Sequence, residues 1–292
     1  MLQDNPSFRL VKGQTSRTWW SYLLWFVCLF FVIGGIATLV ALFGLTLILQ
    51  GRMTDLGLFL GNMLGFPFIL LGTLWLAWKQ DKRTLDSFAF WSKQWYLKIL
   101  QGMLMGGVAF VLVWFLAFGL GGLTIKLSPS INPLFLLLSF LAFMIQGTAE
   151  EVLCRGYLLP QWRLRFGLWP AILGNAFCFT LLHLGNPGMT PLASLNLMIY
   201  GLVFSLLFIW SDNMWLTGAA HGMWNFTQGS IFGVLVSGSR LPYSLFETLP
   251  LADKTLLSGG SFGLEGSLLA SIFGFLLSVL LWQCIKRKYA SA

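Results

Sequence analysis

The sequence predicts an all-α protein, a polytopic membrane helix bundle of about eight transmembrane helices. Three observations carry this. Of the 292 residues, 57% are hydrophobic and only 10% charged, where a soluble domain carries roughly a quarter charged. The apolar residues come in blocks of ~20 or more, long enough as helices to cross a ~30 Å hydrocarbon layer. The charges that remain cluster at the ends of those blocks.

The first block, Thr18 to Gln50, is charge-free and far longer than the apolar part of a cleavable signal. It is expected to stay as a membrane helix, with Trp19, Trp20, Tyr22 and Trp25 as an interface belt at its start. The spans follow as 19–49, 56–78, 99–123, 133–160, 168–184, 192–210, 214–237 and 267–285. With the N-terminus in the cytoplasm, thirteen of the eighteen basic residues fall in cytoplasmic segments and four on the opposite side. The eighteenth, Arg155, lies inside a span. An even number of spans with both termini cytoplasmic satisfies the positive-inside rule.

Between the second and third spans, 79–98 mixes Trp91, Trp95 and Tyr96 with lysines. It is expected as a short amphipathic helix on the membrane surface. The 238–266 connection is rich in Gly, Ser and Leu and reads equally as an ordered external cap or a loose loop. Gly61/Gly65, Gly102/Gly106 and Gly218/Gly222 allow close helix approach, but such pairs are common and carry no functional weight alone. Three regions result: N-terminal membrane helices with a cytoplasmic interfacial segment (1–130), a core (131–237), and an external loop with the last helix (238–292). There is no internal repeat.

The formal charge of +8 sits at helix ends and in short loops, as topology requires, so no nucleic-acid partner is expected. Cys28, Cys154, Cys178 and Cys284 lie far apart with no CxxC pair. They read as small apolar residues.

An ionisable residue inside a span is costly and marks function by default. Only Glu150 and Glu151, of ten acidic residues, fall well inside one. Glu151 and Arg155 stand at i,i+4 in the favourable carboxylate-first order, so this pair neutralises itself. Glu150 faces about 100° away, with Cys154 at i+4 and no partner there. Both histidines of the chain are in spans, His183 in "FTLLH" and His221 in "HGMWN". His221 and Asn225 share a helix face, and Gly222 lets another backbone come close.

Glu-Glu-x3-Arg, Phe-x3-His and His-x3-Asn, in this order on separate helices, resemble the CPBP group of intramembrane endopeptidases. That group includes the CAAX prenyl endopeptidases and the bacteriocin-processing and bacteriocin-immunity proteins, the Abi-type proteins. The resemblance covers about 134 to 230. Cys154 departs from it, since the group often has an aromatic before the arginine; this should alter packing rather than chemistry. The resemblance implies an eight-helix membrane core and a metal-independent glutamic endopeptidase. It implies that Glu150 and His183 act on water and that His221 and Asn225 form the oxyanion hole.

The residues support the same assignment. A carboxylate in an apolar cavity is a stronger base for water than one on a surface, His183 can hold the same water, and two donors on one face suit an oxyanion. Glu151 reads as structural, tied to Arg155, and Phe179 would wall the cavity. Two histidines and a glutamate could also bind catalytic zinc. There is no His-Glu-x2-His helix, however, and Arg155 disfavours a dication, so no metal or other cofactor is expected. The expected partners are a membrane-anchored peptide or protein substrate and the bilayer.

One expectation is in tension. At ~1.5 Å per residue, Glu150 lies ~15 Å from the cytoplasmic end of a span closing at 160, and His221 ~10 Å from its own. His183 lies near the far end of its span. Straight full-length helices would not bring the three to one depth, so either 160–168 folds inward or the helices tilt strongly. Two other functions compete with hydrolysis. A non-proteolytic scaffold or immunity-type protein would have no need of both histidines. A proton-coupled carrier would be expected to show paired broken helices or two-half symmetry, and neither is visible.

Overall fold

A computed structural model describes residues 5–12 and 17–290. Six described helices are long and apolar enough to cross a membrane: α2 (Trp19–Ile48), α3 (Asp55–Asp81), α4 (Trp95–Gly119), α5 (Pro133–Phe166), α7 (Pro191–Ser211) and α9 (Leu268–Ala290). Two further helices, α6 (Leu168–Leu182) and α8 (Met214–Phe226, continued by a π-helical stretch, Thr227–Ile231), complete the core, and a short helix, α1 (Pro6–Val11), lies before α2. All eight expected apolar segments are therefore helical, but α6 is short. Helix α8 is enclosed by α4, α5 and α7, so protein rather than lipid surrounds it, and lipid thickness does not set its length.

The starts of the core helices are written in the sequence. Asn132 precedes Pro133, and its side chain accepts from the Phe135 N–H at 3.0 Å. Thr190 does the same ahead of Pro191, accepting from Ala193 at 3.1 Å. Asn213 caps α8 through the Leu216 N–H at 3.1 Å. A polar N-cap followed by proline at the first helical position satisfies or removes donors that would otherwise be orphaned.

Several expectations are corrected. The fourth span does not end at 160. Helix α5 relaxes into a π-helical stretch, Val152–Leu158, and runs on to Phe166, turning at Gly167 with φ 84°. The 79–98 segment is not a surface amphipathic helix. It forms a single 3₁₀ turn, Leu85–Phe88, folded against the core. Arg83 is buried there, with its guanidinium 4.0 Å from the centre of the Phe88 ring. It donates to the Ser87 oxygens and, at 2.7 Å, to the Gly156 carbonyl. Burial pulls this group down to about 10, against the opposing pull of Asp81. Tyr22 does not join the interface belt. It is buried and donates to Asp81 at 3.2 Å, whereas Trp19 and Trp20 are exposed as expected.

The basic end of the bundle is closed by these segments. Asn5 and Ser7 of the α1 region bind Asp212 at the α7–α8 corner, and Trp91 donates to the Asp212 carbonyl at 2.6 Å. At the other end, β1 (Leu123–Leu127) pairs antiparallel with β2 (Phe246–Pro250), Leu123 opposite Pro250 and Leu127 opposite Phe246. The 238–266 connection is thus an ordered cap. Glu265 accepts from the Ser237 N–H at 2.8 Å and hydroxyl at 3.0 Å, while Asn196 of α7 holds the carbonyls of Glu265 and Ser267.

Candidate active site

Glycines decide how closely the site-bearing helices meet. A side chain on Gly147 of α5 would run into the backbone of Gly222, and one on Gly222 would meet the Phe143 carbonyl and Met144 Cα. Gly102 and Gly106 of α4 press on the Leu216 and Ala220 carbonyls in the same way. Helix α8 is therefore held backbone-to-backbone between α4 and α5, which places His221 beside Glu150 and Glu151. Close packing of this kind replaces the hydrophobic effect as the association force between helices in lipid.

Glu150, His183, His221 and Asn225 line one cavity of about 200 Å³. Its depth follows from the corrected helices. Phe166 puts Glu150 ~24 Å from the end of α5, and His183, at the end of α6, lies ~22 Å from the same turn. His221 is ~12 Å into α8, but α8 starts inside the protein: Met214 is fully buried and its N–H donates to the Ala89 carbonyl at 3.0 Å. The inward-folded 79–98 segment lies beneath it, so the three side chains reach one level without strong tilt being required.

Glu151 and Arg155 lie behind the cavity. Arg155 donates to Glu151 Oε1 at 2.9 Å and to the Gly201 carbonyl at 3.0 Å, with its guanidinium over the Phe179 ring. The same Glu151 oxygen lies 2.9 Å from His221 Nδ1. A carboxylate only accepts hydrogen bonds here, so Nδ1 carries the proton and Nε2 faces the cavity, 3.7 Å from Glu150 Oε2. Glu151 is thus more than Arg155's counter-ion, because it sets the tautomer and orientation of His221. The ring is further fixed by stacking on Phe204, centroids 4.8 Å apart.

Glu150 has a partner that charge alone did not disclose. Gln146, one turn back on α5, donates to Glu150 Oε1 at 2.7 Å and accepts from Asn225 at 2.8 Å. The amide threads the two together across helices. Gln146 stands at i−4 from Glu150, but as a neutral amide it carries no charge to mark it inside a span. Glu150 lines the cavity; its Oε2 is buried with no hydrogen-bond partner, 3.7 Å from His221 Nε2. His183 Nδ1 lies 2.9 Å from the Phe179 carbonyl; with that contact a donor bond, its Nε2 is the acceptor. Phe179 walls the cavity as expected, its ring 4.7 Å from His183. Cys154 is buried, and its carbonyl accepts from Asn175 at 2.7 Å. Ser237, Ser239 and Glu265 of the cap form the outer wall. Among the described residues, no group of three His, Cys, Asp or Glu side chains is disposed to hold a metal ion.

Residues 132–227 match the family described as type II CAAX prenyl endopeptidase Rce1-like. The resemblance to the CPBP group therefore holds for the core of the chain. This is a protease family, and the Rce1-like stretch contains Gln146 and all six residues singled out by motif. Helices α2 to α4 and α9 lie outside it, as does the cap. No curated protein and no solved structure matched the chain.

Proposed function

We propose that this protein is an intramembrane endopeptidase of glutamic type. It hydrolyses peptide bonds of membrane-anchored protein or peptide substrates with a water activated by Glu150. The observation that carries this reading is that Glu150, whose buried Oε2 has no hydrogen-bond partner, lines one cavity with His183, His221 and Asn225. Membership of the core in a protease family supports the reaction class.

In this mechanism a water sits between Glu150 Oε2 and the acceptor Nε2 of His183. Glu150 takes its proton as the oxygen bonds to the peptide carbonyl carbon, and the carbonyl electron pair moves to oxygen. The resulting oxyanion is met by the second N–H of Asn225, the first being engaged by Gln146, and by His221 Nε2. His221 donates from Nε2 only when its ring carries a second proton, because Nδ1–H is committed to Glu151. The oxyanion pair then reforms the carbonyl, the C–N bond breaks, and the proton held by Glu150 passes to the departing amine. Donors placed where charge develops lower the barrier more than donors placed on the ground state.

The chain is further proposed to place both termini in the cytoplasm, with its substrates reaching the cavity from the bilayer. The test is cleavage of a quenched peptide by purified protein, comparing the parent with Glu150→Gln. That variant keeps the size and most hydrogen bonds of the side chain but cannot take a proton from water. A loss of about 10²–10⁴-fold is expected, with unchanged thermal unfolding. Parental rates in Glu150→Gln would remove Glu150 from the base role.

A further inference from the structure

A second polar pocket lies at the basic end of the bundle, between the start of α2 and the end of α5, with a volume of about 430 Å³. Arg17, Thr18, Trp19, Trp20, Gln161 and Arg165 are among its walls. Gln161 is 3% exposed, and neither its amide nitrogen nor its amide oxygen has a hydrogen-bond partner. Burying both ends of an amide unsatisfied costs roughly 1–3 kcal/mol per group, so the side chain is poised for a ligand rather than for the fold.

Two further features share that pocket. Arg17 is anchored from behind, its Nε 3.5 Å from Asp81 Oδ1, and its Nη1 is buried without a hydrogen-bond partner. Arg165 is exposed beside it. The thirty-residue helix α2 begins here, and the Thr18 side chain makes no capping bond to it. An uncapped helix start offers free N–H groups and the positive end of the helix dipole, which favour an anion.

We propose that this pocket binds the phosphate of an anionic phospholipid headgroup. Two guanidinium groups, a buried amide donor and a helix start suit a phosphate, which arginine recognises through paired hydrogen bonds. The setting selects a lipid over a soluble anion. Trp19 and Trp20 are exposed at 42% and 55%, as residues at headgroup level are. The surface of α2 leading away from the pocket is the least buried of the six long helices, so it offers an apolar track for the acyl chains. The site stands on α5 beyond its π-helical stretch, on the same helix as Glu150 but outside the hydrolytic cavity.

The test uses the full chain in detergent, titrated with dioleoylphosphatidylglycerol, dioleoylphosphatidylcholine or inorganic phosphate. Thermal unfolding is followed, and native mass spectrometry counts retained lipids. Phosphatidylglycerol should raise the unfolding temperature saturably with one lipid retained, while phosphatidylcholine and phosphate have little effect. Arg165→Gln, at an exposed position, should need about tenfold more lipid, the loss expected for one charge-assisted bond. Gln161→Leu should show the same loss although the lipid-free variant unfolds no lower than the parent. A purely structural glutamine would give the opposite, a less stable protein with parental lipid dependence. Equal effects of the two lipids, equal effects of inorganic phosphate, or parental lipid dependence in both variants would each overturn the assignment.

Discussion

Helices α2 and α3 and the α5–α8 seam carry the same small-x3-small pattern and use it differently. In the first hairpin a side chain on Gly65 would reach the Gly34 carbonyl, but one on Gly61 would meet only the ends of Leu42 and Leu45, which can move aside. In the seam a side chain on Gly222 would meet the backbone of Phe143 and Met144, which cannot move without separating the helices. The surroundings differ as well. In the most apolar stretch of α2 17% of the residues are buried, whereas in that of α7, which lies against the seam and supplies Phe204, 67% are. Within their apolar stretches, 19–49 and 56–78, the two helices of the α2–α3 hairpin carry no charged group. The seam holds two carboxylates, an arginine and a histidine in close contact: Glu151 accepts from both Arg155 and His221, and Glu150 Oε2 lies 3.7 Å from His221 Nε2. Lipid-facing contacts tolerate variation, whereas a buried polar network requires fixed backbone distances, and glycine supplies them.

The largest test of this contrast removes a charge from the seam. Arg155→Ala leaves Glu151 buried with only His221 to partner it, which should lower stability by about 3–5 kcal/mol. Melting in detergent measures this. The double variant Glu151→Ala/Arg155→Ala should recover part of that stability but not activity, because His221 then has no acceptor to orient its ring. Full recovery of peptidase activity in the double variant would show that Glu151 does not position His221.

Asn225→Ala comes next. Loss of one oxyanion donor typically costs about 10²–10³ in rate, so kcat should fall by that factor with KM little changed. An unchanged kcat with a raised KM would place Asn225 in substrate binding instead. Gln146→Leu separates the thread from the donor: activity should fall less than in Asn225→Ala, since it removes only the partner that holds Asn225 and Glu150 in register.

The glycine contrast itself is smaller. Gly222→Ala should cost about 1–3 kcal/mol by forcing the backbones apart and should also reduce the rate of cleavage. Gly61→Ala should change both by much less. Similar losses at the two positions would mean that the hairpin is as rigidly packed as the seam.

The smallest effect is expected at the α7–α8 corner. Burial holds the Asp212 carboxyl above the usual carboxylate range, partly offset by its bonds from Ser7. A carboxyl raised in the folded state favours folding in acid, and this contribution is lost as pH rises from the unfolded value through the raised folded one. The difference in unfolding temperature between parent and Asp212→Asn should therefore vary with pH in that window. A constant difference would show that the corner does not titrate.

The sequence by itself determined the fold class, because blocks of apolar residues of membrane-spanning length have no other stable arrangement. It also determined most of the polar cluster. Glu150, Glu151, Arg155 and both histidines stand out since the membrane makes each of them expensive, and Glu151–Arg155 was legible because i,i+4 geometry is local. Contacts between helices were not legible. That Glu151 holds His221, that Gln146 joins Glu150 to Asn225, and that Arg83 and Tyr22 are buried depend on which helix faces meet. Hydropathy is nearly uniform around a membrane helix, so it gives little rotational information. The common depth of the three helices that carry the candidate site was likewise hidden. It required α5 to continue past Pro160 and α8 to start inside the protein, and both follow from packing of the 79–98 segment and α1 against the basic end. Local spacing fixes partners one turn apart, while partners on different helices are fixed only when the glycine contacts set the distance between backbones.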